Sequence, residues 1–295
     1  NGLVAGLKAG IGGVLPFIPF YLIIEILQDV GYLPRAAYLM DRFMHQIGVH
    51  GKTIIPVLLG FGCSVPAVSA CRIMENERQR RRSIIISTMI PCSATATIIL
   101  GLVAQYMGIG QAILLYGILF IVIVAIGKIL TITSDVEDSE LIIELHDFRR
   151  PNFSVIFKQT WHRSKEFVYM ALPLMVGLGV LMEILLEFQI LNNINQFLSP
   201  ITQNMLGLPI GIGVFLIYGF LRKELNLILL ELYVSGLGLT VAQYLTPIQM
   251  MVFSLVILLY IPCLATFVTI IKEAGPGFAW GLLLSRLILA IIAAS

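Results

Sequence analysis

The segment Ser83 to Tyr106 reads SIIISTMIPCSATATIILGLVAQY. It is long and apolar enough to cross a bilayer, because about 20 mostly apolar residues in a helix span a hydrocarbon core about 30 Å thick. Yet Pro91-Cys-Ser-Ala-Thr95 sits near its centre. Proline has no N–H and clashes with the preceding turn, so a helix kinks or breaks there. The carbonyls freed by the break need partners. In lipid that is tolerated only where the backbone is buried in protein or lines a cavity. The segment therefore predicts a membrane helix broken around an internal path, with Cys92 roughly 14 Å into a span that begins at Ser83.

The rest of the chain fits a bilayer as solvent. Of 295 residues 58% are hydrophobic and only 12% charged, and mean hydropathy is +0.94. Soluble domains carry about 25% charged residues, and a folded soluble surface needs polar atoms to cover it. Net charge is +2, and no basic patch with interleaved aromatics offers a nucleic-acid surface. Asn1 in place of Met points to a processed N-terminus or a piece of a longer chain, and no signal-peptide pattern follows. About eight spans of the required length are predicted, near residues 14–33, 52–70, 83–106, 111–133, 166–188, 208–230, 247–271 and 277–294. The run from Leu225 to Leu245 leaves room for a further half-span. The expected fold is an all-α polytopic transmembrane helical bundle with proline-broken helices. Residues 1–133 form a first repeat, 134–165 a polar loop with an interfacial stretch ending near Trp161, and 166–295 a second repeat.

Lysine and arginine set the expected orientation. Arg72, Arg78, Arg80, Arg81 and Arg82 place the loop after the second span in the cytoplasm, and Arg149, Arg150, Lys158, Arg163 and Lys165 do the same for the 134–165 loop. The loop from Arg35 to Lys52 falls outside in this scheme despite three basic residues. Eight crossings then leave both ends of the chain cytoplasmic, in a plasma membrane.

The two halves echo one another. Met89-Ile-Pro-Cys-Ser-Ala-Thr95 matches Tyr260-Ile-Pro-Cys-Leu-Ala-Thr266, and Gly60-Phe-Gly-Cys63 falls where Gly219-Phe-Leu-Arg222 falls. Pro16 and Pro173 open the two halves, with Glu25 and Glu183 at similar depth. Two copies of a four-span unit account for this, and an even span count gives both copies one orientation. Transporters are often built from such repeats, with the site at the repeat interface.

Three breaks carry a cysteine: Cys63 in Gly60-Phe-Gly-Cys-Ser-Val-Pro66, Cys92, and Cys263. Thiolate is a soft ligand that suits iron, zinc and copper(I) and does not suit magnesium or calcium. Neighbouring Ser64, Ser93 and Thr266 add oxygen atoms to a coordination path. A lone buried cysteine usually behaves as a small hydrophobe, and Cys71, outside any break, is read so. Absence of CxxC argues against a disulfide framework or a zinc ribbon. Glu25 and Glu183 lie within spans, where an ionisable group usually faces the bundle interior; the alternative is a place near the outer headgroups. Arg222-Lys-Glu224 has two readings. It lies near the cytoplasmic face, or it is the second-half counterpart of Cys63-Ser-Val65 with Glu224 as a cation ligand. His45 and His50 read as solvated members of a polar loop, and His50-Gly-Lys-Thr53 lacks the first glycine and the strand of a phosphate loop. No arrangement of catalytic residues indicates an enzyme.

Together these motifs resemble the membrane region of the ferrous iron transport protein B family. The resemblance rests on Asp29-Val-Gly-Tyr-Leu-Pro-Arg-Ala-Ala37, Met40-Asp-Arg42, Gly60 to Ala67, Pro91 to Ala94, Glu144 to Pro151 before Trp161, Arg222-Lys-Glu224 and Tyr260 to Thr266. It implies a paired gate architecture and passage of Fe²⁺ into the cytoplasm as the cargo, with no resident cofactor. It also implies that Cys63, Cys92 and Cys263 line the path and that Glu224 is the acidic position of the second gate. Family members carry a cytoplasmic GTPase domain, so the expected partners are the bilayer, a GTPase domain or separate GTPase partner, and a further copy of the chain in a homo-oligomer. A nucleoside or other organic-solute permease of the gate type, or a carrier of Mn²⁺ or Zn²⁺, is the alternative.

Overall fold

The structure is a computed structural model. It describes residues 17–133, 151–162 and, with interruptions at 210–211, 222, 224, 237 and 261, residues 206–294, besides the isolated positions 165, 169, 202 and 203. Every element among them is helical. The chain divides into two compact units. The first comprises residues 1–45, 50–55 and 138–190, and the second residues 46–49, 56–137 and 191–295.

In the first unit, α1 (Phe17–Asp29) is a 13-residue helix, and α2 runs over Tyr32–Gln46. The polar loop expected from Arg35 to Lys52 is thus mostly helix. Arg35, Asp41 and Arg42 depress its hydropathy, while Ala37 and Met44 are buried and Tyr38, Leu39 and Met40 are exposed. That is an amphipathic pattern of period 3.6. His45 lies on α2, where its Nδ1 is 2.9 Å from the Asp41 carbonyl oxygen. His50 is buried and caps the short 3-10 turn Gly51–Thr53, its ring accepting from the Lys52 amide. Neither histidine belongs to a solvated loop. Asn152 donates its amide to Asp29 at 2.8 Å, and Trp161 stands exposed on the helix that follows, as an interfacial stretch requires.

The second unit is built of broken helices. The first break separates α3 (Ile54–Gly62), whose start belongs to the first unit, from α4 (Ser64–Ala70). The next separates α5 (Glu77–Met89) from α6 (Ser93–Ile98), which continues through a π-turn at Ile99–Ala104 into α7 (Gln105–Met107). The unbroken α8 covers Ile109–Thr133. In the second half α9 (Gly213–Leu221) is followed by α10 (Leu225–Gly236) and α11 (Val241–Tyr244). Then α12 (Pro247–Leu259) breaks before α13 (Leu264–Ala274), and α14 (Pro276–Ala294) ends the described chain.

Four helices among the described residues are long and apolar enough to cross a membrane: Glu77–Met107, Ile109–Ile132, Pro247–Ala274 and Pro276–Ala293. They coincide with four of the eight predicted spans. The expected spans at 52–70 and 208–230 are pairs of half-helices instead. The expected span at 166–188 lies outside the described residues.

The direction of the helices corrects the repeat reading. Arg81, at the start of α5, lies over the Phe278 ring at the start of α14, 5.5 Å from its centroid. Further along, the Arg286 guanidinium donates to the Ile85 carbonyl oxygen at 2.9 Å. So α14 runs alongside α5 in the same direction. Between α13 and α14 the chain turns sharply at Gly275, whose φ of 89° is open to glycine at little cost, and both α12 and α13 pack against α14. The broken helix α12–α13 is therefore antiparallel to its homologous partner α5–α7. The two copies are inverted with respect to each other, not parallel.

The same geometry revises the count of crossings. Arg72 pairs with Glu273 at 2.6 Å, although eight spans put residues 72 and 273 on opposite faces. The eight-span scheme therefore does not hold as counted.

Glycine permits one close approach that this packing needs. Gly48 has φ 86°, and a Cβ there would overlap the Gly127 carbonyl oxygen and the Thr131 hydroxyl on α8. A Cβ on Gly127 would in turn overlap the Ile47 carbonyl oxygen.

Candidate functional site: cysteine-capped helix breaks

Each predicted cysteine occupies the same structural position, the residue just before a new helix begins. Cys63 precedes α4 with φ −149° and ψ 135°. Cys92 precedes α6 with φ −72° and ψ 170°. Cys263 precedes α13 with φ −57° and ψ 156°. The backbone is extended at each and turns helical one residue later, as an N-cap requires.

Two of these breaks are near copies. The Cys92 Sγ lies 3.3 Å from the Thr95 hydroxyl, and the Cys263 Sγ lies 3.2 Å from the Thr266 hydroxyl. The motif Pro-Cys-x-Ala-Thr thus folds alike twice, with threonine three residues on, where it can reach back to the cap. Thr266 is wholly buried and Thr95 nearly so, while all three cysteines are half-buried.

The breaks are brought together. Ser93 donates its hydroxyl proton to the Gly62 carbonyl oxygen at 2.9 Å, which ties the α5–α6 break to the residue before Cys63. The half-helices α4 and α13 pack side by side, with Arg72 and Glu273 joined at their far ends and with Val68, Phe267 and Ile270 in one core. They run in the same direction, so Cys63 and Cys263 lie at matching ends. The half-helix α6, which follows Cys92, packs against α12, which ends shortly before Cys263. Among the described residues no three histidine, cysteine, aspartate or glutamate side chains are grouped to hold one metal ion together. The geometry is a succession of sulfur and oxygen atoms, not a closed chelate.

The opposite ends of the broken helices are satisfied by cations. The last carbonyls of a helix lack intrahelical partners and carry partial negative charge. The Lys223 ammonium, 8% exposed, donates to the Ile257 carbonyl oxygen at 3.0 Å, just before the end of α12. Arg286, 3% exposed, donates both to the Ile85 carbonyl oxygen and to the Thr88 hydroxyl, each at 2.9 Å, near the end of α5. Lys223 was read from sequence only as part of Arg222-Lys-Glu224. In the structure it caps a helix end inside the apolar region. Arg286 escaped the sequence reading altogether. Its lone charge in the apolar run 277–294 was the available signal, since intramembrane ionisable residues usually face the interior. The Tyr260 hydroxyl donates to the Leu216 carbonyl oxygen and secures the same break from the side of α9.

The remaining predicted residues divide as follows. Ser64 opens α4 and is buried, whereas Ser93 is exposed. Glu25 is buried in α1 of the first unit, 1% exposed. Glu183 and Glu224 lie outside the described residues. Cys71 is fully buried in the core of the second unit, with its thiol 3.4 Å from the Ala67 carbonyl oxygen, so it serves packing.

Comparison with known proteins agrees with this architecture. The gate family, described as nucleoside recognition, matches residues 12–109 and 168–277, once in each half. The family described as ferrous iron transport protein B C terminus matches residues 112–163. A Staphylococcus aureus protein named Fe(2+) transporter FeoB is 33% identical over 298 residues, covering 93% of this chain and 44% of that protein. A Methanocaldococcus jannaschii protein of the same name is 30% identical, covering 99% of this chain and 48% of its own length. A Porphyromonas gingivalis protein named as a fusion of Fe(2+) transport protein A with Fe(2+) transporter FeoB is 32% identical over 174 residues, 56% of this chain and 21% of that protein. The chain thus spans about half the length of the first two relatives. No solved structure matches it. With the gate pattern in both halves and the ferrous iron transport protein B pattern between them, this chain belongs to the membrane region of the ferrous iron transport protein B family.

Proposed function

We propose that this chain forms the membrane pathway for a ferrous ion, which passes between cysteine and neighbouring hydroxyl ligands at the helix breaks. One observation carries the reading. In the two homologous breaks, on antiparallel helices, Cys92 and Cys263 each stand beside a threonine hydroxyl, and α6 packs against α12. Sulfur and oxygen atoms there replace part of the ion's water shell, and sulfur favours iron over magnesium or calcium. Cys63 and Ser64 extend the path from the adjoining break, and Glu224 is its acidic member.

The arginine-rich end of α5 is assigned to the cytoplasm. Residue 294 then lies on the outer face, because α14 starts beside Arg81 and runs with α5. Inward passage follows the membrane potential, worth about 2.3 kcal/mol per charge per 100 mV. Hydrolysis of GTP is assigned to a domain or partner at the cytoplasmic face, not to these residues.

The test is uptake by the purified protein in liposomes under reducing conditions, with and without a GTPase partner. Fe²⁺ enters under a negative inside potential, and Mg²⁺ does not. A parallel arm with uridine examines the nucleoside reading that the gate family's description supports. Uridine uptake without Fe²⁺ uptake overturns the proposal.

A further inference from the structure

Glu273 stands in the last turn of α13, just before its final residue Ala274. A carboxylate there faces the negative end of the helix macrodipole, which is unfavourable. It is also buried, with 5% of its side chain exposed, and a buried charge needs a partner. Arg72 meets both needs. Its Nη2 lies 2.6 Å from Glu273 Oε1, and its Nε donates to Oε2 at 2.7 Å. Two parallel bonds of this kind fix orientation as well as distance. Arg72 belongs to the 3-10 turn Cys71–Ile73 that closes α4. The bridge therefore ties together the ends of two half-helices that come from different repeats.

The place of the bridge matches the cysteines. Cys63 is nine residues before Arg72, and Cys263 is ten before Glu273. An α-helix rises about 1.5 Å per residue and a 3-10 turn about 2.0 Å, so cysteine and bridge are about 15 Å apart along both helices. The steeper 3-10 turn makes up for the missing residue. Val68, Phe267 and Ile270 share one core between these ends. Apolar contact is non-directional, however, and α4 has only seven residues to set its height on α13. Resting on the cysteine reading above, we propose that Arg72 and Glu273 are positioning residues of the ion path: their bridge fixes the register of α4 on α13 and so holds Cys63 level with Cys263, one sulfur from each repeat. Neither residue touches the ion. Ligands from two repeats serve one ion when they are held to within about 0.5 Å, and the bridge supplies that tolerance from the far ends of the half-helices.

The experiment is thiol linking in native membranes, in a C71A/C92S background that keeps Cys63 and Cys263. The bifunctional reagent reaches about 10 Å, the spacing of packed helices. With the bridge intact the two cysteines link rapidly. R72E sets a carboxylate against Glu273, and E273Q removes the charge while keeping the shape. Each slows linking at least about tenfold, because effective concentration falls steeply once two groups lose their alignment. The charge swap R72E/E273R restores most of the rate. The unfolding midpoint is followed beside it. A bridge that only holds the fold together lowers the midpoint and leaves linking in the folded protein at the native rate, and that result overturns the proposal. So does a swap that restores nothing, or an intact bridge without a link. Fe²⁺ uptake by the same bridge variants with all four cysteines present tests the underlying reading separately. Uptake that falls and recovers with linking supports both. Linking that follows the bridge while uptake stays native leaves the register standing and overturns the cysteine reading.

Discussion

Replacing Cys92 and Cys263 together with serine lowers Fe²⁺ uptake by roughly 100-fold or more, because loss of outer-shell partners alone costs metal sites about 10- to 100-fold. Serine fits each site with little disturbance. It keeps the side-chain length and can still reach the Thr95 or Thr266 hydroxyl. What disappears is the soft sulfur, and a neutral hydroxyl does not replace it as a partner for ferrous iron. The same pair of changes leaves thermal stability close to native. The measurement is initial uptake in liposomes beside the unfolding midpoint. A large fall in both describes a structural pair. Native uptake removes the sulfurs from the path.

The second large effect falls on stability. Among the described residues Arg286 pairs with no carboxylate and is held by the Ile85 carbonyl oxygen and the Thr88 hydroxyl. Glutamate there (R286E) puts a negative charge against the negative end of α5 and removes the guanidinium from the Ile85 carbonyl oxygen and the Thr88 hydroxyl. Stranding a buried charge costs about 3–5 kcal/mol, so R286E does not accumulate as folded protein in membranes. Lysine (R286K) keeps a cation and one bond and folds with a lowered midpoint. Size-exclusion profiles and melting of the purified variants check this. Native behaviour of R286E contradicts the assigned role of the guanidinium.

Much of this was legible in the sequence, and the reasons are physical. Proline and small residues inside apolar runs identify broken helices wherever they occur, because the missing N–H is a local property. Cys92 and Cys263 were therefore found, with their threonines, from a five-residue echo. Directions were not legible. Whether α12–α13 runs with or against α5–α7 depends on the parity of crossings between them, and parity hinges on segments such as 208–245, where a run of apolar residues forms three short helices instead of one span. The arginines marked one end of α5 but said nothing of α14. The pairing of Arg72 with Glu273 supplied that link, and a contact between residues so far apart in the chain has no local signature. Lys223 was visible as a charge, yet its role depends on a carbonyl freed by a break near Pro262, in another helix.

The helix α2 teaches a related lesson. Hydropathy averages over all faces, so three charged residues hid an amphipathic helix with Ala37 and Met44 on its buried side. The period of the apolar positions was the better guide.

Antiparallel crossing of the two broken helices at their cysteines is the claim that everything else uses. It is tested most directly in a C63S/C71A variant, which keeps Cys92 and Cys263 as its two cysteines, treated in native membranes with a short bifunctional thiol reagent. An intramolecular link between the peptides containing residues 92 and 263, suppressed when Co²⁺ is added first, is the expected result. Single modification of both cysteines with no link between them contradicts the account.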